Sequence, residues 1–289
     1  MTTILDGQTV RDERKKELRA RFEGLSVMSR LVIIRVDDRE DTSVYVAQKQ
    51  KMGASLGVSV DVKSFATDVV ENELLHAIDE CNNAPEVNGI IVQLPLPKHI
   101  NLFRIIEAVD PKKDVDGLTA VNLKKLFIGD DTGYVPATAR GIFNLLQAYN
   151  IDCAGMYAVV VGRSMLVGTP TARLLLNHDA TVTIVHSKTT NLPAVTREAD
   201  ILVVAAGTPG LITREHVRNG QVVVDVGMNC NKNRHINEGV VGNMFVGDVS
   251  YDKVVTIVSA LSPVPGGVGP MTVLTLFENL YEATARQSE

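Results

Sequence analysis

The 289 residues carry 45% apolar and 22% charged side chains at a formal charge of −5, the balance of a globular protein rather than a disordered or fibrous one. With no run of five or more basic residues, the chain offers no electrostatic footprint to nucleic acid or an anionic membrane surface, so the expected partners are small molecules or further copies of itself. The length exceeds what one hydrophobic core ordinarily fills and predicts about two domains.

Asp6 is placed to cap a first, mostly solvated helix through about residue 22, with Val10, Leu18 and Phe22 set among Arg, Lys and Glu. LVIIRV (31–36) reads as a buried strand. The acidic loop Asp37, Asp38, Arg39, Glu40 and Asp41 leads to Thr42 or Ser43 as the cap of a helix reaching about Leu56. A strand (58–65), a helix (about 71–83) and the strand GIIVQL (89–94) follow, and this alternation implies a mainly parallel sheet. PLPKHI ends the run, and the turn-rich PKKDVDGL (111–118) joins it to what comes next.

A helix from about Ala139 to Tyr149 opens a second series: strand YAVVVG (157–162), a helix from Pro170, and strands TVTIV (181–185), ILVVA (201–205) and VVVDVG (222–227). That is the rhythm of a dinucleotide-binding domain. SPVPGGVGP (262–270) is a Pro- and Gly-rich bend before an apolar terminal helix, MTVLTLFENLYEA, which is expected to return to the first domain.

Cys81, Cys153 and Cys230 are far apart, odd in number and without a Cys-x-x-Cys pair, which argues against a disulfide framework or a zinc site. The opening MTTILDGQTVRDERKK has no charged segment leading into a long apolar run, and no stretch approaches the roughly 18 uninterrupted apolar residues of a membrane span. The cytoplasm is the expected location.

Gly162, Arg163, Ser164, Met165, Leu166, Val167, Gly168, Thr169 and Pro170 lie between a strand and a helix, the context of a phosphate-binding turn. Gly162 permits a sharp turn and Gly168 a close backbone approach, while Thr169 is placed to cap and Pro170 to take the first helical position. The spacing departs from Gly-x-Gly-x-x-Gly, and no lysine follows Gly168 as a nucleoside triphosphatase requires. Two glycines there also suit plain turn geometry. After TVTIV come His186, Ser187, Lys188, Thr189 and Thr190, where an NAD site usually has a carboxylate for the ribose. Arg163, Ser187 and Lys188 suit a 2′-phosphate instead, or equally a solvated polar turn.

Tyr45 and Lys49, four apart, share one face of their helix. Gln93 ends a buried strand, where an unpaired amide is costly; it serves either a ligand or the neighbouring loop backbone. Asp114 and Asp116 bracket Val115, but no histidine or further acid completes a metal shell, leaving loop capping or ligand binding. A single carboxylate in a pocket suits an amino-pyrimidinone edge with adjacent N–H donors.

These segments together resemble the bifunctional methylenetetrahydrofolate dehydrogenase/methenyltetrahydrofolate cyclohydrolase family. The resemblance is carried, in one order, by Ser43-Val-Tyr45-Val with Lys49, GIIVQLPLP (89–97), PKKDVDGL, VVGRSMLVGTP (160–170), ATVTIVHSKT (180–189), ADILVVAAGTPGLI (199–212), VVVDVGMN (222–229), GDV (247–249) and SPVPGGVGPMT (262–272). It implies two α/β domains, the second a Rossmann-like parallel sheet, with the active site in a cleft between them. The implied division is a folate-side domain of residues 1–120, completed by the terminal helix 270–289, and an NADP-binding domain of residues 121–269.

The resemblance further implies oxidation of 5,10-methylenetetrahydrofolate with NADP, in preference to NAD, and hydrolysis of the methenyl product to 10-formyltetrahydrofolate. It implies a homodimer in one-carbon metabolism and purine biosynthesis, with no metal. The catalytic lysine falls on Lys49, the stacking tyrosine on Tyr45, the glutamine beside the lysine on Gln93 and the pterin-binding aspartate on Asp116. Further substrate contacts fall on Leu94, Pro95, Pro263, Gly266 and Gly267. Cofactor contacts fall on Thr138, Gly162, Arg163, Ser164, Val167, Gly168, His186, Ser187, Ala206 and Gly207.

The chain departs from the family at Ala137 and Ala139, where a cysteine and a second proline are common, and at Asp37, which replaces a common glycine. Two other classes compete: a non-catalytic binding module, which loss of Lys49 or Asp116 would favour, and a dehydrogenase without the hydrolase step. Both residues are present.

Overall fold

The structure is a computed structural model that describes residues 1–36, 40–230 and 245–288. Asp37, Asp38 and Arg39 of the acidic loop lie outside the described residues, as do the side chains of Glu40, Asp41 and Cys230.

Strand β1 (Thr3–Ile4) precedes helix α1 (Gly7–Glu23), and the Asp6 carboxylate caps that helix by accepting from the N–H of Gln8 at 2.9 Å. Next come β2 (Arg30–Val36), α2 (Glu40–Leu56), β3 (Ser59–Phe65), α3 (Glu71–Asn83) and β4 (Gly89–Val92). Short α4 (Leu102–Glu107) is capped by Asn101 and α5 (Ala120–Ile128) by Thr119; α6 (Ala137–Ala148) follows. The second series is β5 (Tyr157–Val161), α7 (Gly168–Asn177), β6 (Thr181–Val185), α8 (Leu192–Glu198), β7 (Ile201–Val204) and β8 (Val222–Asp225). The chain closes with β9 (Asn229–Cys230), β10 (Phe245–Val246), α9 (Tyr251–Val254), β11 (Ala260–Leu261) and α10 (Val268–Ser288).

The chain divides into two compact units, Glu13–Ala137 with Val273–Glu289, and Met1–Asp12 with Thr138–Thr272. The first is built on a three-stranded sheet of order β3-β2-β4, parallel throughout. Its core sets Val32, Ile34 and Val36 against Leu74, Ile78, Ile90 and Ile105. Asp114 pairs with Ile90 as an isolated parallel bridge, so the PKKDVDGL segment lies along the free edge of β4. The later part of α10 belongs to this unit: Phe277 is fully buried, and the Asn279 amide donates to the carbonyls of Val115 (2.9 Å) and Val135 (3.0 Å).

The second unit is built on a six-stranded parallel sheet of order β1-β11-β8-β7-β5-β6. β5, β7 and β8 lie inside the sheet and read as nearly unbroken Val, Ile and Leu, as strands buried on both faces do. β6, at the edge, is half exposed.

Several predicted strands are shorter than expected. GIIVQL ends at Val92, ILVVA at Val204 and VVVDVG at Asp225. In the first case Pro95 has no N–H to continue a ladder, although Gln93 N–H still reaches the Ile34 carbonyl at 2.8 Å.

Candidate active site

In the three-stranded unit, α2 carries Tyr45 and Lys49 one turn apart, and the end of β4 carries Gln93. The Lys49 Nζ donates to Gln93 Oε1 at 2.7 Å, and Gln93 Nε2 donates to the Leu94 carbonyl at 3.0 Å. Of the two partners that the sequence left open, a ligand or the loop backbone, the amide NH2 takes the loop backbone, while its oxygen takes the lysine. Burial pushes the Lys49 ammonium below its ordinary value, and the negative charge of Asp116 works in the opposite direction. An amine held so can carry a proton nearer neutral pH than a solvated lysine.

The two aspartates of PKKDVDGL divide their tasks. Asp114 is buried and accepts from the N–H groups of Leu118 (3.1 Å) and Thr119 (2.8 Å) and from Asn122 Nδ2 (2.8 Å), which makes it the loop-capping residue. Lys113 fixes the same loop from below by donating to the carbonyls of Cys81, Asn82 and Ala84 at 2.7 to 3.0 Å. Asp116 takes no hydrogen bond among the described residues, and its carboxyl is pushed up to about 6, first by burial. The positive charge of Lys49 works against that rise, and the neighbouring Asp114 adds to it. A half-buried carboxyl left without donors is available to a ligand's N–H groups.

In the six-stranded unit, the turn after β5 is shaped for close backbone approach. Gly162 sits at φ 119, and a Cβ there would collide with the Ala205 carbonyl; a Cβ at Gly168 would collide with the carbonyl of Gly162. The expected cap at Thr169 is corrected here. α7 begins at Gly168 behind Val167, and Thr169 Oγ1 donates instead to the Arg163 carbonyl at 3.2 Å. Proline is tolerated anywhere in the first turn because those N–H groups have no helical acceptor, so Pro170 does not mark the first position. Ser164 Oγ accepts from Val167 (3.3 Å) and Gly168 (3.4 Å), folding the turn on itself.

Beyond β6, His186 N–H donates to Thr189 Oγ1 at 2.9 Å and Lys188 N–H to His186 Nδ1 at 3.2 Å, which leaves Ser187 and Lys188 at an exposed tip. Arg163 is exposed as well. After β7, the N–H groups of Ala206 (2.7 Å), Gly207 (2.8 Å) and Thr208 (2.8 Å) all donate to the carboxylate of Asp248.

Two family models cover most of the chain: "Tetrahydrofolate dehydrogenase/cyclohydrolase, catalytic domain" matches residues 5–116, and "Tetrahydrofolate dehydrogenase/cyclohydrolase, NAD(P)-binding domain" matches residues 136–288. The Bifunctional protein FolD of Enterococcus faecalis is 43% identical over 99% of this chain and 100% of its own. The chain belongs to the tetrahydrofolate dehydrogenase/cyclohydrolase family. The crystal structure of the bifunctional FolD dehydrogenase/cyclohydrolase from Campylobacter jejuni superposes with a TM-score of 0.94 at 38% identity, covering 99% of each chain. That of the Trypanosoma brucei FolD enzyme, complexed with NADP cofactor and an inhibitor, gives 0.92 at 34% identity over 99% of this chain and 98% of the other.

Of the positions that the tetrahydrofolate dehydrogenase/cyclohydrolase resemblance assigned, Lys49 is hydrogen-bonded to Gln93 and feels the charge of Asp116, with Tyr45 one turn along α2 and Leu94 and Pro95 following Gln93. Pro263, Gly266 and Gly267 belong to the six-stranded unit, where Gly267 N–H donates to the Pro263 carbonyl at 2.9 Å and Gly266 sits at φ 114. Thr138 belongs there too, next to Thr272 (Oγ1 to Oγ1, 3.5 Å).

Sequence reasoning assigned no role to Asp225 and Asp248. Their signal was present: a carboxylate inside the apolar run VVVDVG is costly unless several donors surround it. Asp225 accepts from the N–H groups of Gly227 (2.9 Å), Asp248 (3.0 Å) and Val249 (2.9 Å), and its carboxyl is pushed up to about 6 chiefly by burial.

Proposed function

We propose that this chain oxidises 5,10-methylenetetrahydrofolate to the 5,10-methenyl compound with NADP and then hydrolyses that compound to 10-formyltetrahydrofolate. The observation that carries the reading is the Lys49–Gln93 hydrogen bond beside the donor-free carboxyl of Asp116. The three-stranded unit takes the folate and the six-stranded unit the dinucleotide.

The residues fit a dinucleotide. Gly162 and Gly168 leave the turn clear of Cβ atoms, and no carboxylate follows β6 to claim a ribose 2′-hydroxyl. Arg163, Ser164, Val167, His186 and Ser187 would hold its phosphates, with Arg163 and Ser187 on the 2′-phosphate. When bound, NADP accepts the hydride of the one-carbon unit. Asp116 accepts the adjacent N–H groups of the pterin's amino-pyrimidinone edge, and the Tyr45 ring supports the folate from the same helix as Lys49.

Hydrolysis adds water to the methenyl carbon, releases one proton from that water and moves one to the nitrogen whose bond to the carbon breaks. Lys49 transfers these protons. Gln93 holds the amine by one N–H so that its remaining valences face the substrate, and burial keeps it able to release a proton. The enzyme works as a homodimer in the cytoplasm, and its 10-formyl product serves purine biosynthesis. No helix among the described residues is long and apolar enough to cross a membrane.

NADP reduction and methenyl decay, followed separately with purified protein and 5,10-methylenetetrahydrofolate, test the reading. Both should proceed. Reduction with methenyl accumulation at the uncatalysed rate of decay would leave a dehydrogenase alone, and absence of reduction would remove the proposal.

A further inference from the structure

Asp248 is fully buried and has four donors: Ala206 and Gly207 N–H on Oδ2, and Thr208 N–H with Asn229 Nδ2 on Oδ1, at 2.7 to 2.8 Å. Asp225, also buried, holds Asp248 by accepting its backbone N–H at 3.0 Å. Among the described residues neither carboxylate forms an ion pair. Two buried carboxylates side by side are a costly way to hold a loop that ordinary turn hydrogen bonds would close.

Peptide planarity shows what the arrangement achieves. The peptides from Ala205 to Thr208 are trans, and in a trans peptide the N–H and C=O point in opposite directions. Because the N–H groups of Ala206, Gly207 and Thr208 aim at Asp248, the carbonyls of Ala205, Ala206 and Gly207 are turned away from it. For the first of these peptides that direction leads to Gly162, whose Cα lies against the Ala205 carbonyl. The carbonyls of Ala206 and Gly207 accept no hydrogen bond among the described residues, and the space where a Cβ of Gly207 would stand is open.

We propose that Asp248 is a positioning residue of the dinucleotide site: it turns the Ala206 and Gly207 carbonyls outward to accept from uncharged donors of NADP, its ribose hydroxyls or its carboxamide NH2. The inference rests on the reading of the six-stranded unit as the NADP side. A pair of carbonyl oxygens repels phosphate, so this loop takes the neutral part of the dinucleotide and leaves the charged part to the Gly162 turn.

The test is calorimetric binding of NADP to the full-length protein, with methenyl hydrolysis in the absence of dinucleotide as the internal control. Asp248→Asn keeps the side chain's shape but faces an amide donor toward backbone donors, and should raise the Kd and KM for NADP about tenfold or more. Hydrolysis should not change. If Asp248→Asn does not fold, Asn229→Ala, which removes one donor from the carboxylate, should weaken NADP binding in the same sense by a few-fold.

The 3-acetylpyridine analogue of NADP, which lacks the carboxamide NH2, separates the two donors. A penalty from Asp248→Asn that disappears with the analogue assigns the carbonyls to the carboxamide, and an equal penalty assigns them to the ribose. An unchanged NADP Kd in Asp248→Asn, or binding and hydrolysis falling in parallel, overturns the proposal. Ala206→Phe identifies which layer failed. If it leaves NADP binding untouched, the loop does not face the dinucleotide and the proposal falls; if it blocks binding while Asp248→Asn does not, only the role of Asp248 is lost; and a parent protein that binds no NADP removes the underlying reading as well.

Discussion

Lys49 donates a 2.7 Å hydrogen bond to Gln93, the residue that follows the last residue of β4. The bond ties a helix face to a strand end and leaves the lysine under the influence of one carboxyl, Asp116. Replacing Lys49 with Met keeps the length and the apolar stem but removes the proton carrier. Methenyl hydrolysis should fall by about two to four orders of magnitude. Calorimetric NADP binding should be unaltered, and a parent-like methenyl decay rate would remove Lys49 from the reaction.

Asp114 and Asp116 should separate by what they damage. Asp114→Ala leaves the buried N–H groups of Leu118 and Thr119 unpaired and takes one acceptor from the Asn122 amide, which keeps the Pro111 carbonyl, and should cost about 3 kcal/mol of stability, read by urea denaturation. Asp116→Ala strands no donor of the protein and should instead weaken folate binding far more than NADP binding. Equal losses for the two ligands would make Asp116 a structural residue.

The same carboxyl predicts a pH dependence. Burial raises Asp116 from its ordinary value of 3.8 to about 6, so the native state holds its proton more tightly than the unfolded chain. Its contribution to stability is therefore fully present below pH 3.8 and is lost as pH rises through about 6. Asp116→Asn carries no charge at any pH and should raise Tm over the parent more at pH about 7.5 than at about pH 5. A Tm difference independent of pH would contradict a raised carboxyl pKa.

Arg163 and Ser187 lie on exposed turns after β5 and β6. A 2′-phosphate adds roughly two negative charges that only a cation or donor there can meet. Arg163→Ala should raise KM for NADP much more than KM for NAD, and high salt should narrow that difference because the contact is solvated. Equal effects on both cofactors would mean that Arg163 braces the turn and reads no phosphate.

The amino-acid sequence by itself determined the alternation of strands and helices, because buried parallel strands such as LVIIRV and ILVVA are runs of apolar side chains whose solvation alone demands an interior. It also determined the Gly162–Gly168 turn and the candidates Tyr45 and Lys49 on one helix face, Gln93 after a buried strand and Asp116 in a turn-rich segment. Only the tertiary structure decided which carboxylate does what. Asp114 and Asp116 look alike in PKKDVDGL, and the difference arises from Leu118, Thr119 and Asn122 closing on one of them. Likewise β1 and β11 are two-residue strands with no periodicity to detect, and they become strands because the edge of β8 offers unpaired backbone groups that must be satisfied. The start of α7 and the Asp225–Asp248 pair belong to the same class: each depends on backbone N–H groups supplied by segments distant in sequence or folded back on themselves, and a local reading of residue types carries no record of those donors.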